Sequence, residues 1–300
     1  MGAPPRRYIF LTVQLNNDPV WQIKLYGTRG STPVCERGFQ RYGGNTSCIY
    51  ADLLTNDRSQ GCIVFDAGTG IRQLGKELTD GTLPRVEEVF ILLTHFHWDH
   101  IQGLPFFGPI YDPNQRISIF SPHKNITHVR LREIFEVQMQ QEYFPVQLDH
   151  AGATFAFQTR SKQAAALLAD GGVQLDFRLH RHPGGAFSYR LSSQGRSIVL
   201  CTDLEHGEAV DEDVVAFCAG ADLLIHDAQY TDEELVSHRG WGHSSYSQAI
   251  AVARRAGAKQ LLFTHHDPDH NDERLVRIEA ECQAHFTGCR IAHDGMEVFV

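Results

Sequence analysis

Five short apolar runs in this chain stop abruptly on an acid or a histidine. CIVFDAG ends at Asp66, VFILLTH at His95, SIVLCTD at Asp203, DLLIHDA at His226 and Asp227, and QLLFTHH at His265 and His266. Short runs of this kind, bounded by turn formers, suit strands buried on both faces. Such strands need helices to cover them, and helical periodicity appears between them. SSYSQAIAVARRAG (244–257) carries serine caps, an Ala249, Ile250 and Ala253 face and a closing Gly257. DERLVRIEAECQ (272–283) repeats Leu275, Ile278 and Cys282, and ITHVRLREIFEVQMQQ (126–141) repeats Val129, Ile134 and Phe135. The pattern predicts a mixed α/β architecture whose strand ends gather polar residues along one sheet edge. Residues 1–20 do not fit it and stay unplaced. Residues 21–300 are expected to form a single hydrolase domain.

Bulk properties narrow the chemistry. Lys and Arg number 27 against 36 Asp and Glu, a formal net charge of −9. A protein that grips a nucleic-acid backbone unaided carries the opposite balance. The seven cysteines include no C-x-x-C pair, which argues against a disulfide framework and against a thiolate zinc site. No apolar run approaches the ~18 residues of a membrane span, and the N-terminus reads poorly as a signal peptide, so a cytoplasmic location is expected. The outlier is histidine, at 17 residues, the commonest metal ligand.

Four of the candidate ligands fall within THFHWDH (94–100). His95 and His97, at i and i+2 of an extended segment, project to one side. Asp99 and His100 then turn the chain toward a second point, so one loop can serve two ions. Imidazole and carboxylate without thiolate suit Zn²⁺, Mn²⁺ or Fe.

DAGTG (66–70) precedes THFHWDH, and HPGG (182–185), TD (202–203), GHSS (242–245) and THHDP (264–268) follow it in order. Together they resemble the metallo-β-lactamase fold superfamily, from about residue 22 to the C-terminus. The resemblance implies a four-layer αββα sandwich with two divalent metal ions, Zn²⁺ foremost and Mn²⁺ or Fe as alternatives. It implies that His95, His97 and His182 hold the first, that Asp99, His100 and His265 hold the second, and that Asp203 bridges them. LHRHPGG offers His180 as well, and the match to the motif favours His182. The segments HDAQYTDEE (226–234), GWGHSSYSQA (240–249) and LLFTHHDP (261–268) look like the RNase Z-like phosphodiesterase branch. That likeness implies His243 as the general acid and Asp227 as its orienting partner, where RNase Z usually has Glu. Asp66 either steadies a ligand histidine or simply ends its strand in a turn.

The substrate expected is a small phosphodiester. Members that process tRNA carry an RNA-grasping arm between the third-motif histidine and the bridging aspartate, whereas His182 and Asp203 lie only 21 residues apart. The stretches GTRGSTPVCERGFQRYGGNTSC (27–48) and LPFFGPIY (104–111) resemble cyclic-nucleotide phosphodiesterase-like members. Arg29 and Asn45 are therefore expected near the phosphate, and Phe106 and Phe107 near a base. In the expected reaction a hydroxide bridging the ions attacks phosphorus, Asp99 helps to orient it and His243 protonates the leaving oxygen. An RNA 3′-end nuclease, or a hydrolase of another ester, thioester or sulfate ester, is the alternative. No stable nucleic-acid partner and no membrane are expected. The 105–150 region is expected to be a lid or oligomer contact, with a homodimer as the oligomer.

Overall fold

The computed structural model describes residues 20–55, 58–59, 61–160, 168–169 and 172–300. The unplaced N-terminal segment lies outside them, apart from Val20. Among the described residues the strands form two sheets. The first contains β1 (Val20–Gly27), β2 (Cys48–Thr55), β3 (Arg58–Ser59), β4 (Cys62–Phe65), β5 (Glu88–Leu92), β6 (Arg116–Phe120) and β7 (Thr154–Gln158), closed at the β1 edge by β14 (Glu297–Phe299). Strands β4 to β7 run parallel, while β1 pairs antiparallel with β2 and β14. The second sheet orders β13 (Cys289–Ile291), β12 (Gln260–Thr264), β11 (Leu223–Asp227), β10 (Arg196–Cys201), β9 (Ala186–Ser193) and β8 (Gln174–His180). Its β10 to β13 half is parallel, and β8, β9 and β10 form an antiparallel meander.

Strand alternation builds the layers. In β11, Leu223 and Ile225 join an apolar cluster shared with Ile23, Ile49 and Phe65 of the first sheet, so the sheets pack face to face. Leu224 points the other way, into a cluster with Val214, Ile250 and Leu275. Those residues belong to α4 (Glu212–Phe217), α6 (Tyr246–Ala256) and α7 (Asp272–His285), which cover the second sheet, whereas the short α5 (Asp232–Ser237) buries no residue. On the outer face of the first sheet, Ile71 and Leu74 of α1 (Ile71–Asp80), Ile101 of α2 (Trp98–Ile101) and Leu131 and Phe135 of α3 (His128–Gln138) pack on Val64, Val89 and Ile119. The order is helix, sheet, sheet, helix, the αββα sandwich expected from the sequence. Each β-strand apolar run is continuous because both its faces are covered.

The three expected helices form, each with a local stop and start. Ser245 accepts from Gln248 N while the Gln248 side chain accepts from Ser245 N, and Gly257 ends α6 at φ 67°. Asn271 and Thr127 cap α7 and α3. The 105–150 region is not a separate lid. It supplies β6, an interior strand between β5 and β7, and α3, whose Leu131 and Phe135 are buried against the sheet. No helix among the described residues is long and apolar enough to cross a membrane.

Candidate metal centre

The polar residues that end the apolar runs meet at one edge of the sandwich, drawn from both sheets. The loop after β5 brings His95 and His97, and the first turn of α2 brings Asp99 and His100. Asp66 follows β4, Asp203 follows β10, Asp227 closes β11, and His265 follows β12. His182 lies in the turn between β8 and β9. Five described non-glycine residues have positive φ, and four of them are here: Ser31 (62°), Asp66 (61°), Asp203 (57°) and His265 (62°). A left-handed residue directly after a strand turns the chain sharply and swings its side chain off the strand axis. It costs an L-residue about 1 kcal/mol or more.

Among the described residues the ligand atoms converge in five overlapping groups, each with its atoms within 4.8 Å of one another: His95, His97 and His182; His95, His100 and Asp203; Asp99, His100 and His265; His182, Asp203 and His243; and Asp227, His243 and His265. Asp203 reaches both sides of the cluster. Its Oδ1 lies 3.8 Å from His95 Nε2, 3.9 Å from His182 Nε2 and 3.2 Å from His265 Nε2, and its Oδ2 lies 3.2 Å from His100 Nε2. Asp99 Oδ2 is 3.2 Å from both His100 Nε2 and His265 Nε2.

Two features of this packing call for cations. His95 Nε2 is buried and has no hydrogen-bond partner. Imidazole nitrogens also approach each other at 3.1 Å (His182 Nε2 and His97 Nδ1) and 3.3 Å (His100 Nε2 and His265 Nε2), separations that require a proton or a cation between them. Protonation behaviour agrees. Burial alone would raise the Asp203 carboxyl, but His100, His265 and His95 outweigh it and hold it well below the usual range. Burial likewise opposes charge on His265, yet Asp203, Asp99 and Asp227 push its pKa up to about 9. His95, buried beside His100, is held well below an ordinary imidazole. The centre thus stabilises both ionised carboxylates and localised positive charge. Nitrogen and carboxylate donors without thiolate fit divalent cations such as Zn²⁺.

A surrounding layer fixes the rings. His100 Nδ1 donates to Asp66 Oδ2 at 2.8 Å, which leaves Nε2 facing the centre. Asp66 is itself held by Thr94, whose N and Oγ1 donate to it. Burial pushes the Asp66 carboxyl up, with His100 and Thr94 pulling against it. His265 Nδ1 meets Gln229 Oε1 at 3.0 Å, and His182 Nδ1 meets the Gly242 carbonyl at 3.0 Å. Asp99 Oδ2 accepts from Ser31 N at 2.9 Å. His180 is turned away from the centre, bonded to the Asp203 carbonyl and to Ser188 Oγ. Partners of this kind set tautomer and ring orientation.

Two substitutions test that layer. Asp66→Asn keeps the shape but removes the charge and leaves one accepting oxygen where the carboxylate offers two, so either His100 Nδ1–H or Thr94 N–H meets an NH₂; metal affinity is expected to fall about 10- to 100-fold, read by competition with a chromophoric chelator. Unchanged affinity would reduce Asp66 to a turn residue. At Gly242, φ is 95° and a Cβ would stand 2.1 Å from His182 Nδ1 and 2.5 Å from Pro183 Cδ. Gly242→Ala is therefore expected to destabilise the fold by about 2–4 kcal/mol in denaturant titration. A loss below about 0.5 kcal/mol would mean that the turn relaxes freely.

His243 borders this cluster, with a ring nitrogen within 4.8 Å of ligand atoms of His182 and Asp203. Its Nδ1 donates to Asp227 Oδ2 at 3.0 Å, and its ring stacks on His265 at 4.9 Å between centroids. Asp227 is fully buried and also accepts from Asp203 N, Ser244 N and Gln229 N. Despite its burial, His243 and His265 hold its carboxyl below the usual range. A ring so oriented turns its Nε2 away from Asp227 and toward the cavity it lines.

That cavity is an open cleft of about 440 Å³, lined by Ser31, Phe96, His97, Trp98, Asp99, Asp203, His243 and His265. The expected substrate contacts need correction. Arg29 is completely buried, and its guanidinium donates to the carbonyls of Gly43, Asp267 and His270, tying the β1–β2 loop to the loop after β12. Asn45 is bound to Asp294 and Thr69. Phe107 has no exposed surface and packs in the first sheet's outer core. Phe106 is exposed but pairs with Phe144 and does not line the cleft. An aromatic residue that does line it and remains 62% exposed is Trp98, to which the sequence reading assigned no role.

Residues 62–266 match the family model of the beta-lactamase superfamily domain. A Ribonuclease Z from Bacillus velezensis is 26% identical over 325 aligned positions, covering 93% of this chain and 99% of that protein. Among solved structures, the metallo-beta-lactamase fold protein YhfI from Bacillus subtilis superposes with a TM-score of 0.64 at 20% identity, covering 94% of this chain and 100% of that one. A diphosphatase from the PhnP family superposes with a TM-score of 0.63 at 18% identity, covering 93% and 97%.

Proposed function

This chain belongs to the beta-lactamase superfamily, and on that premise we propose that it is a metal-dependent phosphodiesterase acting on small phosphodiesters, cyclic nucleotides foremost. The observation that carries this reading is the His243–Asp227 pair, set at the mouth of the cleft beside the nitrogen and carboxylate cluster. Ester hydrolysis with a poor leaving group needs a proton delivered opposite the nucleophile, and a histidine with its own buried carboxylate answers that need.

The residues that would hold two cations are His95, His97 and His182 on one side and Asp99, His100 and His265 on the other, with Asp203 between them. Such ions supply charge neutralisation at the phosphoryl oxygens and acidify water. The chain's own groups do the rest. Asp99, fixed by Ser31 N, orients the attacking water. His243, protonated on both nitrogens, gives the Nε2 proton to the leaving oxygen, and Asp227 stabilises the ring while it is charged.

A small substrate is supported by three features. The cleft has the volume of a small-molecule site. None of the described lining residues is Lys or Arg. The interval from His182 to Asp203 is filled by the β9–β10 hairpin. A second reading, an RNA 3′-end nuclease, draws on the relative named Ribonuclease Z, which this chain matches along nearly its whole length. The deciding experiment is turnover by zinc-replete protein on bis-p-nitrophenyl phosphate, 3′,5′- and 2′,3′-cyclic nucleotides and a precursor tRNA. Hydrolysis of a cyclic nucleotide at kcat/KM above about 10⁴ M⁻¹s⁻¹ is expected. Preferred cleavage of the tRNA would replace the first reading with the second. No cleavage of any diester would remove both.

A further inference from the structure

We propose that Trp98 is the platform on which the substrate's base stacks, so that the site selects phosphodiesters bearing a planar aromatic group and accepts the different bases with little discrimination. This rests on the phosphodiesterase reading and names how its substrate is recognised.

Trp98 lies between His97 and Asp99 and opens α2, with Asp99, His100 and Ile101 after it all buried. The helix face that turns inward is therefore already filled, and the indole has no route into the core. A tryptophan side chain normally buries most of its large apolar surface; this one is 62% exposed at the lip of the cleft. Phe96 supplies the neighbouring wall. Its ring packs on His123 at 5.3 Å, and His123 packs edge-on against Phe187 at 4.9 Å, which holds Phe96 in place from behind.

The polar lining has little left with which to read a base. Asp99 is engaged by Ser31, His100 and His265, and His243 by Asp227, while Asp203 is surrounded by four imidazoles. With no Lys or Arg among the described lining residues, a polyanionic backbone meets no side-chain cation from them. The phosphate is left to the centre of the cleft and the base to an aromatic face. Stacking tolerates any base because every base has a π face.

The test is calorimetric binding of adenosine 5′-monophosphate and of ribose 5-phosphate to zinc-replete protein. The two probes share the sugar phosphate and differ by the base, so their affinity ratio cancels any change in metal content. The wild-type ratio is expected to be about 10 to 100 in favour of the nucleotide. Trp98→Ala and Trp98→Leu should bring it to within about threefold of unity, and Trp98→Phe should retain most of it. Cytidine, guanosine and uridine monophosphates should fall within about tenfold of adenosine monophosphate. A ratio that survives in Trp98→Ala, a ratio near unity in the wild type, or no binding of either probe overturns the proposal. If the ratio behaves as expected but no diester is hydrolysed, base stacking stands and the phosphodiesterase reading fails.

Discussion

His243→Ala is expected to lower kcat on a cyclic nucleotide by about 10²- to 10⁴-fold while lowering it on bis-p-nitrophenyl phosphate by less than about tenfold. The difference comes from the leaving group. A ribose oxygen departs as a strong base and needs the proton that His243 holds; nitrophenolate is stable as an anion. The variant also removes a ring from the cleft wall, but that loss is common to both substrates, so the difference between them isolates the proton. Steady-state rates on the two substrates, with metal content measured in parallel, decide the matter. Equal losses on both would mean that His243 acts on the metal centre or on folding, and the acid role would be lost.

Asp203→Ala should behave in the opposite way, abolishing the distinction between substrates. Its carboxylate approaches His95, His100, His182 and His265, which come from the loop after β5, from α2, and from the turns after β8 and β12. Asp203 is the side chain that touches both halves of the ligand set. Bound metal per chain, read by elemental analysis, is expected to fall below the wild-type value by one ion or more. Turnover should drop by at least about 10³-fold on both diesters, equivalent to several kcal/mol of lost charge stabilisation. A chelator should lower the melting temperature of the wild type but hardly move the variant's. Full metal content in Asp203→Ala would exclude a bridging role.

Much of this was legible in the sequence for a definite reason. The strands announced themselves because both faces are covered, which forces continuous apolar runs such as those of β5 and β11. The ligand candidates announced themselves because imidazoles and carboxylates at the ends of such runs are otherwise expensive. Local signals failed where meaning depends on distant partners. Arg29 in a glycine-rich loop looks the same whether its guanidinium meets a phosphate or, as here, three backbone carbonyls. Phe106 and Phe107 differ by one position in a tight turn, and one is exposed while the other is fully buried. Gln229, which faces the ring of His265 and reaches Ser31 across 198 residues of sequence, carries no local mark of that task. Trp98 was assigned no role because motif spacing speaks for the histidines and aspartates alone.

The left-handed backbone at Ser31, Asp66, Asp203 and His265 has a consequence for anyone who would harden this protein against heat. At such positions glycine is the residue the main chain prefers, and a search guided by backbone comfort would nominate all four. Each nomination would remove a side chain that holds or faces the centre. The gain in durability would be measured on a protein that had been disarmed. Improvement has to come from elsewhere, such as helix ends and exposed faces, because at these four positions discomfort of the main chain and competence of the site are the same property.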